Sequence, residues 1–195
     1  MMKKVLTAAL LAAMCSGVYA ASYELDASHS SIGFGVKHMV VSTTKGQFTD
    51  YTGGFAFEAG VPSSLKASAV IKVASVDTGN ADRDEHLRGA DFFDAGKFPE
   101  ITFESTGAES VGEEIVLTGQ LTIKGVTKEI KIPLTVNGPI ADPWGNVRVG
   151  FEGKAKINRK DYGLTWSKAM DNGGLVVGDD VILDIVIEGT QKKAE

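Results

Sequence analysis

Apolar and polar residues alternate one by one along five segments of this chain. From Glu114 to Lys124, one parity holds Ile115, Leu117, Gly119, Leu121 and Ile123; the other holds Glu114, Thr118, Gln120, Thr122 and Lys124, with Val116. From Val147 to Ile157, one parity reads Val147, Val149, Phe151, Gly153, Ala155, Ile157, and the other carries Arg148, Glu152, Lys154 and Lys156. Successive side chains of a strand point to opposite faces, so a period of two predicts half-buried strands. Eight strands follow: Ser22–Lys37, Gly46–Glu58, Lys66–Val76, Ile101–Ser110, Glu114–Lys124, Lys128–Val136, Val147–Ile157 and Val181–Gly189. Turn-forming residues separate them at Val61–Ser64, Gly112-Glu113, Lys124-Gly125, Asn137-Gly138-Pro139 and Asp142–Gly145. Many strands with no helical run between them predict an all-β sandwich or barrel. Eight is the number at which a closed barrel is filled by side chains or holds one small ligand.

The apolar parity keeps shrinking to small residues. Ala67, Ala69, Gly119, Gly153 and Ala155 all fall on it, and they predict unfilled room inside. Two stretches leave the strand rhythm. Asn80–Gly89 places Asp82 before His86 and Asp84 before Arg88 at i,i+4, with Asn80 as N-cap and Gly89 as stop, which predicts one short helix near 80–89. Asn158–Asp180 is irregular and Gly-rich, and it contains Trp166.

The 195 residues suit one domain with its own core. Residues 1–20 are set apart from it. Lys3 and Lys4 precede the short apolar run Val5–Met14, and Val18-Tyr19-Ala20 offers a small-residue cleavage site, so these residues read as a secretory signal peptide and 21–195 as the mature domain. Loss of the two lysines moves the formal charge from −5 to −7. An acidic domain argues against nucleic acid and against electrostatic docking on anionic lipid. The one cysteine, Cys15, leaves with the leader, so no disulfide or thiolate metal site is expected. No further apolar run has membrane-spanning length.

Motifs for catalysis are thin. His29, His38 and His86 do not pair at metal-ligand spacing, and no cofactor or metal is expected. There is no G-x-S-x-G, no P-loop and no G-x-G-x-x-G. Phe92, Phe93 and Trp166 lie outside the regular ladder, where the mouth of a barrel would be covered. Arg83, Asp84, His86, Arg88 and Asp91 form either a solvated helix face or a set of donors at a cavity mouth.

The same stretches resemble the YceI-like family of bacterial periplasmic proteins, also called polyisoprenoid-binding proteins. The blocks run in order from Tyr23 to the end. They include Asp26 with His29-Ser30, Val36-Lys37-His38, Val76 to Asn80 through Arg88, Asp91-Phe92-Phe93-Asp94, Asp142-Pro143-Trp144-Gly145, Asn158 to Leu164, and Val177-Gly178-Asp179. The resemblance implies a lipocalin-like antiparallel barrel of eight strands with an apolar pocket. The implied occupant is a polyprenyl phosphate, an isoprenoid quinone, a fatty amide or a similar amphiphilic lipid. It further implies a non-enzymatic periplasmic protein, in a family linked to stress responses and lipid handling. On this reading Phe34, Val36, Ile71, Val73, Phe103, Leu117, Leu121 and Phe151 face the lipid tail, together with His38. Phe92, Phe93 and Trp166 close around it, and Arg83, His86 or Arg88 meets the head group. Two alternatives stay open: an enzyme with His86 and Asp84 or Asp91 as acid and base, and a solidly packed structural barrel. A homodimer also stays open.

Overall fold

The alternating segments form the strands of one sheet in the computed structural model of the chain, which describes residues 20–168 and 175–192. The expected leader lies outside the described residues but for Ala20. The strands are β1 Ala21–Leu25, β2 Ser31–His38, β3 Ser42–Phe48, β4 Tyr51–Glu58, β5 Val61–Lys72, β6 Val76–Asp77, β7 Glu100–Val111, β8 Glu114–Ile123, β9 Val126–Ala141, β10 Val147–Asn158 and β11 Val177–Gln191. One helix, α1 Ala81–Arg88, lies between β6 and β7. No described helix is long and apolar enough to cross a membrane.

The ring β1-β4-β5-β7-β8-β9-β10-β11 is antiparallel and closes through β1 on β11, with Tyr23 opposite Gln191 and Leu25 opposite Gly189. The expected eight-stranded barrel is therefore present. Its first hairpin is long and kinked. β2 continues from β1 along the same edge of β11, and β3 precedes β4. Beyond the kink β3 pairs, among the described residues, with β2 and the short β6 alone, and the segment carrying α1 follows β6 there.

Five boundaries differ from the sequence expectation. The strand expected over Ser22–Lys37 breaks into β1 and β2 because the Asp26 carboxylate accepts from the backbone N–H (3.1 Å) and hydroxyl (2.6 Å) of Ser28, which turns the chain. The strand expected over Gly46–Glu58 breaks at Thr49-Asp50, whose backbone bonds Ser75 and Lys72 instead of a ladder partner. Pro62, Ser63 and Ser64 lie inside β5 rather than in a break, and Val73–Ser75 forms a 3₁₀ turn rather than strand. Asn137-Gly138-Pro139 lies within β9; the ladder absorbs it by a register shift opposite Arg148 to Gly150.

Inward side chains form two clusters along the barrel axis. One contains Tyr23, Phe55, Phe57, Leu65, Leu117, Leu134, Val149 and Phe151. Its rings interlock: Tyr23 stacks on Phe55 at 4.9 Å, and Phe151 meets Phe55 and Phe57 edge-on at 5.1 and 5.3 Å. The other, toward α1, contains Phe48, Ile71, Val73, Phe92, Ile101, Leu121, Ile157 and Tyr162. At the end away from α1, Arg148 ties the corner. Its Nε donates to Asp142 at 2.8 Å, and its Nη1 donates to Asp26 at 2.8 Å and Glu188 at 2.5 Å. Asp26 is held well below the usual carboxylate range by Ser28, Arg148 and His29, and Asp142 by Arg148.

The small residues do not all leave space. A Cβ on Gly119 would overlap the Phe103 ring and lie 2.7 Å from the Glu104 carbonyl oxygen. One on Gly189 would overlap Phe55, and one on Gly46 would overlap Phe34. Each of these glycines is roofed by an aromatic ring from its own sheet. Gly119→Ala is therefore expected to destabilise the fold by about 1–3 kcal/mol, the usual cost of forcing an extra methyl into a packed site. Urea unfolding with an unchanged slope checks it; a neutral substitution would mean that the ring moves freely.

Candidate functional site

A cavity of about 440 Å³ runs inside the barrel, within the range of small-molecule sites. Its inner end is walled by Phe55, Leu65, Leu117, Leu134 and Phe151, and its middle by Ile71, Ile101, Phe103, Leu121, Leu183 and Ile185. Val36, Lys37, His38, Thr44, Thr78, Arg83 and His86 border the other end. The basic lining residues are Lys37, His38, Arg83, His86 and Arg159, and no carboxylate lines the cavity among the described residues. That is notable in a chain of formal charge −5.

Thirteen of the fifteen residues expected to face a ligand line this cavity: Phe34, Val36, His38, Ile71, Arg83, His86, Phe92, Phe93, Phe103, Leu117, Leu121, Phe151 and Trp166. Two do not. Val73 is 1% exposed in the 3₁₀ turn and packs in the core outside the cavity wall. Arg88 turns away, with Nη2 on Glu85 at 3.2 Å and Nη1 toward the carbonyls of Ala74 and Val76. Of the small residues, Ala67 and Ala69 line the cavity. Gly119, Gly153 and Ala155 do not: Phe103 covers the first, the Pro133 carbonyl and Leu134 crowd the second, and the third is packed into the core at 7% exposure.

Helix α1 builds the polar border. Asn80 caps it by accepting the Arg83 amide at 2.9 Å, and Gly89 ends it. The expected i,i+4 ion pairs do not form. Asp84 is buried and accepts both the amide (2.9 Å) and the hydroxyl (2.5 Å) of Thr78. Arg83 then donates from Nε to Thr78 Oγ1 at 2.7 Å and from Nη2 to the Thr78 carbonyl at 2.9 Å. Thr78 is thus the anchor that points Arg83 at the cavity, and two of the five guanidinium donors are spent on it. His86 pairs with Asp91 at 3.0 Å rather than with Asp82. Its ring packs edge-on against Phe92 and Trp166, at 5.0 and 5.1 Å, so the three rings form one cover over the border.

Arg159 was not among the expected site residues, yet it organises the other side of the border. It sits in a 3₁₀ turn, Arg159–Tyr162, directly after β10 and is 4% exposed. Its donors fan out to the carbonyls of Gly178 (2.8 Å), Leu164 (2.5 Å), Trp166 (2.8 Å) and Val177 (3.3 Å), and to Asp179 at 3.3 Å. Burial pulls the guanidinium below its ordinary pKa, and Asp179 opposes that. Thr78, Tyr162 and Leu164 also line the cavity without having been expected to. No signal in the sequence marks Arg159: Lys160 stands beside it, and its partners are mostly backbone carbonyls. At the opposite end of the molecule, Asp26, His29 and Glu188 bring three potential ligand atoms together, but Arg148 already neutralises the two carboxylates.

Arg159→Met is expected to cost about 3–5 kcal/mol, because it strands several buried carbonyls. Arg159→Lys should recover little, since one ammonium cannot span the fan. Urea unfolding and amide exchange at Leu164, Trp166 and Val177 check this; wild-type protection in Arg159→Met would refute it.

Comparison with known proteins places this geometry. The model of the YceI-like domain matches residues 23–189. A UPF0312 protein of Shewanella oneidensis is 40% identical, covering 98% of this chain and all of that protein. The crystal structure of BcnA from Burkholderia cenocepacia superposes with a TM-score of 0.74 at 26% identity, covering 84% of this chain and 98% of BcnA. A polyisoprenoid binding domain from Saccharophagus degradans superposes with a TM-score of 0.67 at 22% identity, over 88% of this chain and 99% of that domain, which shows the shared fold.

Proposed function

The chain belongs to the YceI-like family, and from that premise we propose that it is a periplasmic binding and carrier protein for an isoprenoid-like amphiphile. The observation that carries this reading is the cavity: deep, walled by Phe, Ile, Leu and Val, and bordered by cations at one end only. An apolar tail gains about 0.8 kcal/mol for each buried CH₂, hence about 4 kcal/mol for a five-carbon isoprene unit. Two such units are comparable with the roughly 4–15 kcal/mol that association costs. The cationic border then favours an anionic head group such as a prenyl phosphate, met by the free donors of Arg83. A leader peptide fits the same reading, since a long isoprenoid does not cross an aqueous compartment unaided.

Protein purified from its native host, extracted with organic solvent and analysed by mass spectrometry, is expected to release a prenyl-chain lipid. An empty cavity, with no uptake of added prenyl phosphate or quinone, overturns the proposal. Arg83→Ala is expected to weaken prenyl phosphate binding about 10- to 100-fold, the value of a hydrogen bond to a charged group of about 1.5–3 kcal/mol. The matching prenyl alcohol should lose far less. Arg88→Ala, whose side chain lies off the cavity, should treat both ligands alike. The His86–Asp91 pair supports a second reading, acid–base chemistry on the bound lipid. It would require turnover of a prenyl phosphate that disappears in His86→Ala.

A further inference from the structure

We propose that the tip of the β2–β3 hairpin is a membrane-docking element that seats the cavity mouth on an anionic phospholipid bilayer. The tip is Met39-Val40-Val41, exposed by 40%, 76% and 87%. It is a tight turn, closed by the Val41 amide donating to the His38 carbonyl at 3.0 Å, and both central residues are left-handed, with φ of 50° at Met39 and 63° at Val40. Such turns normally take Asn and Gly, and a β-branched residue is strained there. Folding therefore selects against this sequence, and water selects against its exposure. An apolar phase that receives the tip satisfies both observations.

Charge identifies the phase. Between Asp26 and Asp50 the chain has no acidic residue, while the hairpin carries Lys37, His38 and Lys45. The domain as a whole is acidic but this stretch is not, so on the hairpin apolar insertion and local cations act together. Val111 and Trp144, also exposed, lack this pairing: Val111 is flanked by Glu109, Glu113 and Glu114, and Trp144 follows Asp142. Position gives the tip its use. Val36, Lys37, His38 and Thr44 line the cavity on the same hairpin, and the Met39 amide donates to the carbonyl of Val176, itself a lining residue, at 3.0 Å. A bilayer that holds the tip faces the opening. The exchange of lipid this permits rests on the carrier reading above; docking itself does not.

Flotation with phosphatidylglycerol–phosphatidylethanolamine vesicles tests it, every protein keeping the same N terminus. Wild type is expected to float, and V40D/V41D to partition at least tenfold more weakly. Val40→Gly relieves the left-handed strain, so it should raise Tm while weakening partition severalfold, opposite signs that a structural role does not produce. Wild type that stays in solution, variants that float equally, or tip variants that change only a monomer–dimer equilibrium each overturn the inference. Uptake of prenyl phosphate supplied from solution should be unaltered in V40D/V41D. Lost docking with retained uptake supports the inference, and wild type that takes up no prenyl lipid overturns the carrier reading alone.

Discussion

A barrel of eight strands has to close on itself, and here its first strand meets its last through three residue pairs, Tyr23 with Gln191, Glu24 with Thr190 and Leu25 with Gly189. That seam is short, so its neighbours hold it. Gly189 lets the Phe55 ring and Tyr23 approach from inside, where the two rings stack. From the rim, Arg148 on β10 reaches Asp26 beyond β1 and Glu188 on β11, and so clamps both sides of the closure. The residue that turns β1 into β2 is thus also half of the clamp. Without the seam, the inward faces of eight strands would have no enclosed space to share.

Closure fixes the circumference, and aromatic rings divide what lies within. A sheet glycine can mean a hole or a seat for a ring. Gly119 seats Phe103, Gly46 seats Phe34 and Gly189 seats Phe55. All three rings line the cavity. Part of the cavity wall is therefore made of flat rings lying against the sheet, with Ala67 and Ala69 as the thin places on β5. A ring flattened on a glycine leaves more width than a branched side chain standing upright. The glycines widen the cavity through their partners rather than by their own lack of a side chain.

Alternation along the chain was enough to locate the eight strand segments and their all-β class, because every half-buried strand must show it. The kinks were less legible. Asp26-Ala27-Ser28 is turn chemistry in plain view, and the inward parity switches across it, from Ala21, Tyr23 and Leu25 to Ile32, Phe34 and Val36. Asn137-Gly138-Pro139 has stronger turn chemistry still, and the ladder carried through it, since pairing with β10 outweighs local preference. The thirteen expected residues that line the cavity came from parity, from the charged helix, from the aromatic run after it and from Trp166 in the irregular segment. Val73 shared the parity but fell in a 3₁₀ turn. Arg88 shared the helix with Arg83, five residues on and therefore on another face. Arg159 escaped because its partners are backbone carbonyls, which have no signature in sequence.

The two ends of the barrel treat charge in opposite ways, and this gives the molecule a direction. At the seam end the cation Arg148 is surrounded by three carboxylates, and all of them are satisfied within the protein. At the α1 end the cations outnumber their partners around the cavity. Arg83 spends only part of its guanidinium on Thr78, Lys37 stands exposed, and Arg159 is bound mainly to carbonyl oxygens, which do not cancel its charge. An amphiphile with an anionic head meets no attraction at the first end and a cationic border at the second. Its tail meets continuous apolar wall only from the second. For an amphiphile with an anionic head, the favoured orientation, head at α1 and tail toward Phe55 and Phe151, follows from that asymmetry alone.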